Sequence, residues 1–559
     1  MILDRRDLIL AGTAVAVTGC AKATPPPAPV PSPAPGPVIS SGSVDVHCHV
    51  FNAHDVPVRK FVELAYLETK IPGGTLLDPL LAFVCFIMNA DAPTTEKELA
   101  ELRGGERMLV QRDTLRRKID LVGRAIQQMR KGKTQFDYRP PGMPAEREAV
   151  QSARVNPANQ VWIQRRFPLA QRRRLARVPP DARVHAELDR AARFLISWAA
   201  LGTWIDFAFN YTKSRYELTE QLANLSPMQA SEVVLYTPAL LDIGHWVGDL
   251  HTSDIGQQVE IMELIAARPG RKYAVHAFVP FDPWRAIGDP SVLQTVIDAI
   301  NSQGCIGVKV YPPMGFKPMN NDVANFPDER RPSHPDGAAA VNQTMGALLE
   351  YCLQNDVPVM AHCSDSQFVT DLGGACANPQ NWKDFMDLSP RNRLLRLNLA
   401  HFGGPWDLDI HWSDTVTAML GQYPNLYSDI ADASFVLDDP SKAANNKRVL
   451  DRMKALLNPA SGPKPAARSR VMYGSDWSLL AREPHFTPYY AKMKTEFCDA
   501  VEFTVDECRG FLGLTALRFL GLAKAADGTM PLARQRLVAC RRQKNLGMAL
   551  FDTIDALTA

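Results

Sequence analysis

Eight short apolar runs, each followed by a stretch with helical character, constrain the fold of this chain more than any other feature. They occupy residues 43–49, 232–237, 273–280, 306–311, 357–362, 395–401, 425–429 and 471–476. Each is the length of a strand and rich in β-branched residues. Helical segments such as 337–353 and 413–420 fall between them. Strands that alternate with helices pair in parallel through right-handed crossovers. Eight of them predict an α/β fold, a (β/α)8 TIM-like barrel. An open doubly wound sheet is the alternative, but no Gly-rich phosphate turn follows an early strand. Apolar residues form 46% and charged residues 22% of the 559 residues, a globular composition that excludes wholesale disorder and fibrous repeats.

The chain is longer than such a barrel requires, and the excess is localised. Residues 55–214 separate the first two strands and predict a large, mostly helical insertion. The apolar stretch 76–90 is too short for a membrane span and reads as a buried helix. The interval 136–159, rich in Pro, Arg and polar residues, reads as a loop. The insertion is also basic: residues 101–200 carry 22 Lys/Arg against 10 Asp/Glu, although the whole chain is nearly balanced at 62 against 60. No recognition motif accompanies that charge, so a nucleic-acid partner is not expected. The closing residues, 526–559, read as a C-terminal tail, and nothing in the sequence fixes an oligomeric state.

The N-terminus reads as a targeting device. Arg5 and Arg6 precede an apolar run from Leu8 to Val17 that ends in Val17-Thr18-Gly19-Cys20. Residues 1–20 look like a bacterial signal peptide with a lipobox and resemble a twin-arginine export signal, with Cys20 as the lipidated residue. The linker 21–42 contains eight prolines in thirteen positions between 25 and 37, a stiff polyproline spacer. The expectation is an exported lipoprotein, periplasmic or on the cell surface, tethered to a membrane through Cys20. The other nine cysteines are scattered and mostly read as small buried apolar residues, reduced when the chain folds.

The chemistry is concentrated at strand ends. In Asp45-Val46-His47-Cys48-His49 alternate residues share a strand face, so His47 and His49 point the same way and can grip one cation. His362, His401 and Asp476 close later strands, at the barrel end where active sites are built. His276 lies on the third strand and reads as a hydrogen-bonded core imidazole. His54 is a loop residue near the metal motif with possible access to substrate, and the remaining histidines read as ordinary loop residues.

These residues resemble the amidohydrolase superfamily, in particular the amidohydrolase-related branch that includes aminocarboxymuconate-semialdehyde decarboxylase and lactone hydrolases. The resemblance rests on D-V-H-C-H at 45–49, G-V-K-V-Y-P-P at 307–313, A-H-C-S at 361–364, A-H-F-G-G at 400–404, Y-G-S-D-W at 473–477 and the helix F-L-G-L-T-A-L-R-F-L-G-L at 511–522. It covers 43–54 and 215–525. Thr515 replaces the usual Asn, Ser478 replaces a common Pro, and the insertion has no counterpart in compact members. The resemblance implies one divalent metal ion, zinc first and manganese or iron as alternatives, held by His47, His49, His362 and Asp476. It implies Asp476 and His401 as catalytic residues, Asp476 moving the water's proton and His401 lying beside the metal. Lys309, which bridges two metals in binuclear relatives when carboxylated, is expected here as a substrate-carboxylate contact or a structural ion pair. Tyr311 and Trp477 are expected at the pocket, with Lys317 a further candidate.

The function expected is hydrolysis of an ester, lactone or amide of a small molecule by metal-activated water. The alternatives are a metal-dependent decarboxylase or hydratase of an unsaturated carboxylate, and a non-catalytic binding lipoprotein.

Overall fold

The structure, a computed structural model, describes residues 42–57, 92–104, 207, 209–247, 253–322, 337–365, 371–407, 410–483, 485–525 and 527–558. The signal peptide, Cys20, the proline linker through residue 41 and most of the insertion, including 76–90 and 136–159, lie outside the described residues.

Parallel strands form two sheets. The first contains β1 (Ser43–Cys48), β2 (Val233–Pro238) and β3 (Ala274–Val275). The second contains β4 (Phe278–Pro280), β5 (Gly307–Val310), β6 (Val359–His362), β7 (Leu397–Ala400), β8 (Leu426–Asp429) and β9 (Val471–Met472). The run expected at 273–280 is interrupted at His276 and Ala277, which separates β3 from β4. There His276 N donates to Tyr236 O at 3.1 Å, while His276 Nδ1 lies 2.9 Å from the Gly304 carbonyl and Nε2 lies 2.9 Å from Arg541 Nη1. His276 is therefore a buried, hydrogen-bonded imidazole, and burial first, then Arg541, pull its pKa down to about 4. Backbone links join the sheets, among them the bridge between Ala239 and Phe278 and the bond from Val46 N to Tyr473 O at 3.3 Å.

Alternation within β1 divides its side chains between two environments. Val44 and Val46 enter an apolar cluster with Leu235, Phe278, Met360 and Met472. Asp45, His47 and His49 take the other parity. The same cluster includes Phe519, Leu520, Phe551 and Ile554, all nearly or fully buried. Each such side chain contributes about 1.5–3 kcal/mol of transfer free energy. Two of these residues belong to the region read as a tail: residues 527–558 carry the helices Leu532–Gln543 and Ala549–Thr558. Leu537, Leu550, Phe551 and Ile554 are too apolar for a solvated tail.

Of the insertion, the described residues include the helix Thr95–Arg103, capped by Thr94, whose hydroxyl accepts from Lys97 N. A buried ion cluster ties it down. Arg215 Nη1 donates to Glu98 Oε2 at 2.8 Å, and its Nε and Nη2 donate to the two oxygens of Asp55.

The expectation of reduced cysteines is corrected at one pair. Cys498 and Cys508 form a disulfide, because a chain reversal at Val501–Thr504 returns residue 508 to residue 498. Cys48, Cys305, Cys352, Cys363, Cys376 and Cys540 are free and buried, as their apolar reading requires.

Candidate active site

The candidate residues sit where strands end. His47 and His49 lie at the end of β1, Lys309 on β5, His362 at the end of β6, His401 directly after β7, and Asp476 after β9. Two features bring them close. Gly474 lacks a side chain where a Cβ would come within 2.9 Å of His47 Cβ, so the segment after β9 can lie against β1. Asp476 N then donates to His47 O at 2.8 Å. After β7, residues 401–404 all take left-handed backbone angles, and a Cβ on Gly403 would meet the Trp412 carbonyl carbon at 2.8 Å. Only glycine fits position 403 of that turn, which starts at His401.

The hydrogen bonds fix which nitrogen each ring presents. His49 Nδ1 lies 2.7 Å from the Ala239 carbonyl, and His401 Nδ1 lies 3.2 Å from the Ala431 carbonyl. A carbonyl can only accept, so both Nδ1 atoms carry the proton and both Nε2 atoms carry the lone pair. His47 Nδ1 lies 3.1 Å from Asp429 Oδ2, which orients that ring in the same sense. Asp476 Oδ1 is 3.2 Å from His49 Nε2 and 3.7 Å from His47 Nε2, yet it is buried without a directed hydrogen bond. His47, His401 and Asp476 offer ligand atoms that all lie within 4.8 Å of one another. His362 borders them, with ring centroids 4.7 Å from His401, and its Nε2 is 2.9 Å from Ser364 Oγ.

Imidazole lone pairs facing an orphaned carboxylate oxygen are the donor set of a divalent cation site, so the residues fit the metal the sequence implies. His401 stands in the same group of possible ligand atoms as His47 and Asp476.

Electrostatics agree with that reading. Burial first, then Lys309, lower the pKa of His47 to about 3, against the opposing pull of Asp429. His362 and His401 are also pushed down by burial. Neutral imidazoles are the ligating form. Lys309 Nζ lies 3.2 Å from His47 Nε2, and burial lowers its pKa to about 8 although Asp429 and Asp476 oppose this.

A cavity of about 500 Å³ opens above these groups. Its lining includes His49, Lys309, Tyr311, His362, His401, Trp406 and Asp476. Lys309 and Tyr311 are therefore where a substrate contact requires. Trp477 is not. Its side chain is fully buried outside the cavity lining and lies tilted against Phe486 with ring centroids 5.6 Å apart. His54 is absent from the cavity lining, and its Nε2 donates to the Ala92 carbonyl at 3.1 Å. Lys317 likewise lies away from the cavity lining.

The sequence reading missed Asp429. This buried carboxylate pairs with His47, accepts from Asn398 Nδ2 at 2.7 Å, and accepts the backbone amides of His401 at 3.0 Å and Ala431 at 3.1 Å. It orders two candidate ligands at once. Its position closing the strand 425–429, like the other candidates, was the available signal.

With this geometry in hand, three comparisons with known proteins acquire meaning. The sequence profile of a family described as amidohydrolase matches residues 44–522. No curated protein matches the chain. Similar solved structures include an amidohydrolase from Burkholderia multivorans with bound zinc, at 14% identity, covering 59% of this chain and 93% of that one, with a TM-score of 0.36. A putative 2-pyrone-4,6-dicarboxylic acid hydrolase from Pseudomonas putida shares 14% identity over 54% of this chain and 87% of its own, with a TM-score of 0.31. A 5-carboxyvanillate decarboxylase from Novosphingobium aromaticivorans, complexed with manganese, shares 12% over 57% and 89%, with a TM-score of 0.32.

Proposed function

The chain belongs to the amidohydrolase family and is an amidohydrolase-type enzyme, and from that premise we propose that it hydrolyses an ester, lactone or amide of a small molecule. The observation that carries the proposal is the convergence of His47, His49 and His401, their tautomers fixed through Nδ1, on the orphaned oxygen of Asp476. We read β3 and β4 as one interrupted strand and the two sheets as parts of one eight-stranded barrel. The Ala239–Phe278 bridge and the Val46–Tyr473 hydrogen bond support this closure.

His47, His401 and Asp476, with His49 and His362 beside them, would hold one divalent ion, zinc being the best match to imidazoles and one carboxylate. Such an ion supplies Lewis acidity for a carbonyl and acidifies water toward neutrality. The protein's own groups do the rest. Asp476 accepts the water's proton and returns it to the leaving group. Asp429 keeps His47 oriented, and Lys309 offers a cation to a substrate carboxylate or to the developing charge. Phe51, Tyr311 and Trp406 give the cavity an apolar part of its wall against which a substrate's apolar portion can rest.

The test is a panel of esters, lactones and amides, assayed for acid release by protein stripped with a chelator and reloaded with zinc. Activity that returns with zinc, without carbon dioxide release, supports hydrolysis. Carbon dioxide release from carboxylate substrates by the same preparation would replace hydrolysis by decarboxylation.

We further propose export and lipid tethering through Cys20. The Cys498–Cys508 disulfide supports an oxidising destination, since such bonds persist outside the cytoplasm. Cys20→Ser should shift the protein from the membrane pellet to the soluble fraction, and a variant still resistant to salt washing would refute the tether.

A further inference from the structure

One side chain on the cavity wall keeps a polar atom that the fold does not use. Trp406 lines the cavity and is half-buried against the apolar core. Its ring stands edge-on to His401, with centroids 6.0 Å apart and 69° between the planes. Among the described residues no acceptor takes its indole N–H. That nitrogen is open to solvent, unlike the indole nitrogens of Trp382 and Trp477, which are closed off. An indole N–H in an apolar wall ordinarily finds a partner in the protein, so this one is left for a molecule that enters.

The surroundings place the edge of the ring that carries the nitrogen. Cε2, the ring carbon bonded to it, lies 3.8 Å from where a Cβ on Gly404 would stand, and Ser364 Cβ lies 3.3 Å from the same point. Ser364 lines the cavity too, and its Oγ is 2.9 Å from His362 Nε2. The donor edge thus shares a corner with Ser364, beside the candidate ligands. The loop behind it is tied down. Asp407 N donates to Gly404 O at 3.1 Å, and Arg452, on the helix Ala443–Leu457, donates to Asp407 O at 2.9 Å and to Ile410 O at 3.1 Å. A rigid ring on a fixed loop loses little conformational freedom when a ligand meets it.

We propose that Trp406 is a specificity-determining residue whose indole N–H donates a hydrogen bond to an uncharged acceptor oxygen of the substrate, a carbonyl remote from the bond that is broken. An indole nitrogen can only donate, so the group opposite it must accept. Asp365 and Asp476 line the same cavity, so an anion at this position would meet like charge, and a substrate carboxylate is better placed at Lys309. A substrate without the acceptor would strip the N–H of water and leave it unpaired, and that penalty discriminates against it. The inference rests on the proposed hydrolytic site only in taking this cavity as the substrate's, and its test reads binding instead of turnover.

The probes are 3- and 4-acetylbenzoate, compared with 3- and 4-isopropenylbenzoate, titrated calorimetrically into zinc-loaded protein. The members of each pair have similar shapes and differ by a carbonyl oxygen in place of a methylene group. Wild-type protein should bind at least one acetyl member about 5-fold more tightly than its isopropenyl partner, the worth of one neutral hydrogen bond. Trp406→Phe, which keeps an aromatic face but loses the donor, should bring that ratio to about one, with the isopropenyl affinity and the metal content unchanged. Equal affinities in the wild type, no measurable binding of either acetyl member, or a preference that survives Trp406→Phe would overturn the proposal. So would a Trp406→Phe protein that loses the isopropenyl members as well, because the ring would then act by packing alone. A wild-type protein that takes up no zinc would instead sink the proposed function, while the same paired titration without metal still reads the N–H.

Discussion

His401 and Asp476 both hold left-handed backbone conformations, with φ of 67 and 53. Each costs about 1–3 kcal/mol and persists only where its surroundings impose it. The imposition is visible: Asp429 accepts the His401 amide, and Asp476 N donates to His47 O. Strain held in place at these positions fits residues selected for where they point. Asp476→Asn keeps an oxygen that can approach a cation but loses the basic carboxylate. Metal should be partly retained while turnover falls by about 10²-fold or more. His401→Ala should lose metal much as His47→Ala does, because its ring belongs to the same cluster. Metal content and turnover measured on the same preparations check both, and a His401→Ala protein with full metal content would return that residue to a supporting role.

Among the elements, the segment after β1 and the helix Thr95–Arg103 meet at Arg215, whose guanidinium is buried with Asp55 and Glu98. Burial opposes its charge, but the two carboxylates outweigh that cost and raise its pKa. Arg215→Ala would strand two buried carboxylates and should destabilise the protein by about 3–5 kcal/mol, read by urea unfolding. A second clamp joins the start of β9 to the helix Val505–Arg509. Arg468 Nε and Nη2 each donate to Glu507 at 2.6 Å, and this bond, countered in part by burial, lowers the Glu507 pKa from 4.5 to about 2. A depressed folded-state pKa contributes stability that is present above about 4.5 and is lost as pH falls toward 2. Glu507→Gln should therefore flatten the pH dependence of stability across that window, and an unchanged acid limb would show the clamp to be inert.

Strand positions were legible because a buried parallel strand has to be a short apolar run. The expected runs at 306–311 and 357–362 contain β5 and β6, and the expected helix at 337–353 is Gly337–Gln354. The metal-motif histidines were legible for the same reason, being polar residues where apolar ones belong. The place of Trp406 in the cavity wall and the burial of Trp477 were not, since they depend on how loops fold back. Nor was the Cys498–Cys508 pairing, which follows from a chain reversal that spacing alone does not specify.

At the scale of the whole molecule, strands from both ends of the chain contribute to one constellation: β1 supplies His47 and His49, and the segment after β9, more than 400 residues later, supplies Asp476. Residues 510–519 pack against β1, whose apolar side chains share a cluster with the C-terminal helices, so the same strand is fixed on one side by packing and offers ligands on the other. That design makes metal binding a property of the folded chain, and the ion should in turn stabilise the fold that binds it. The most direct test of the account is the metal content of purified wild-type, His47→Ala and Lys309→Ala proteins by plasma mass spectrometry. About one divalent ion per chain is expected in the wild type, with loss in His47→Ala and retention in Lys309→Ala. A wild-type protein without metal, or one that holds two ions and loses one with Lys309→Ala, would contradict it.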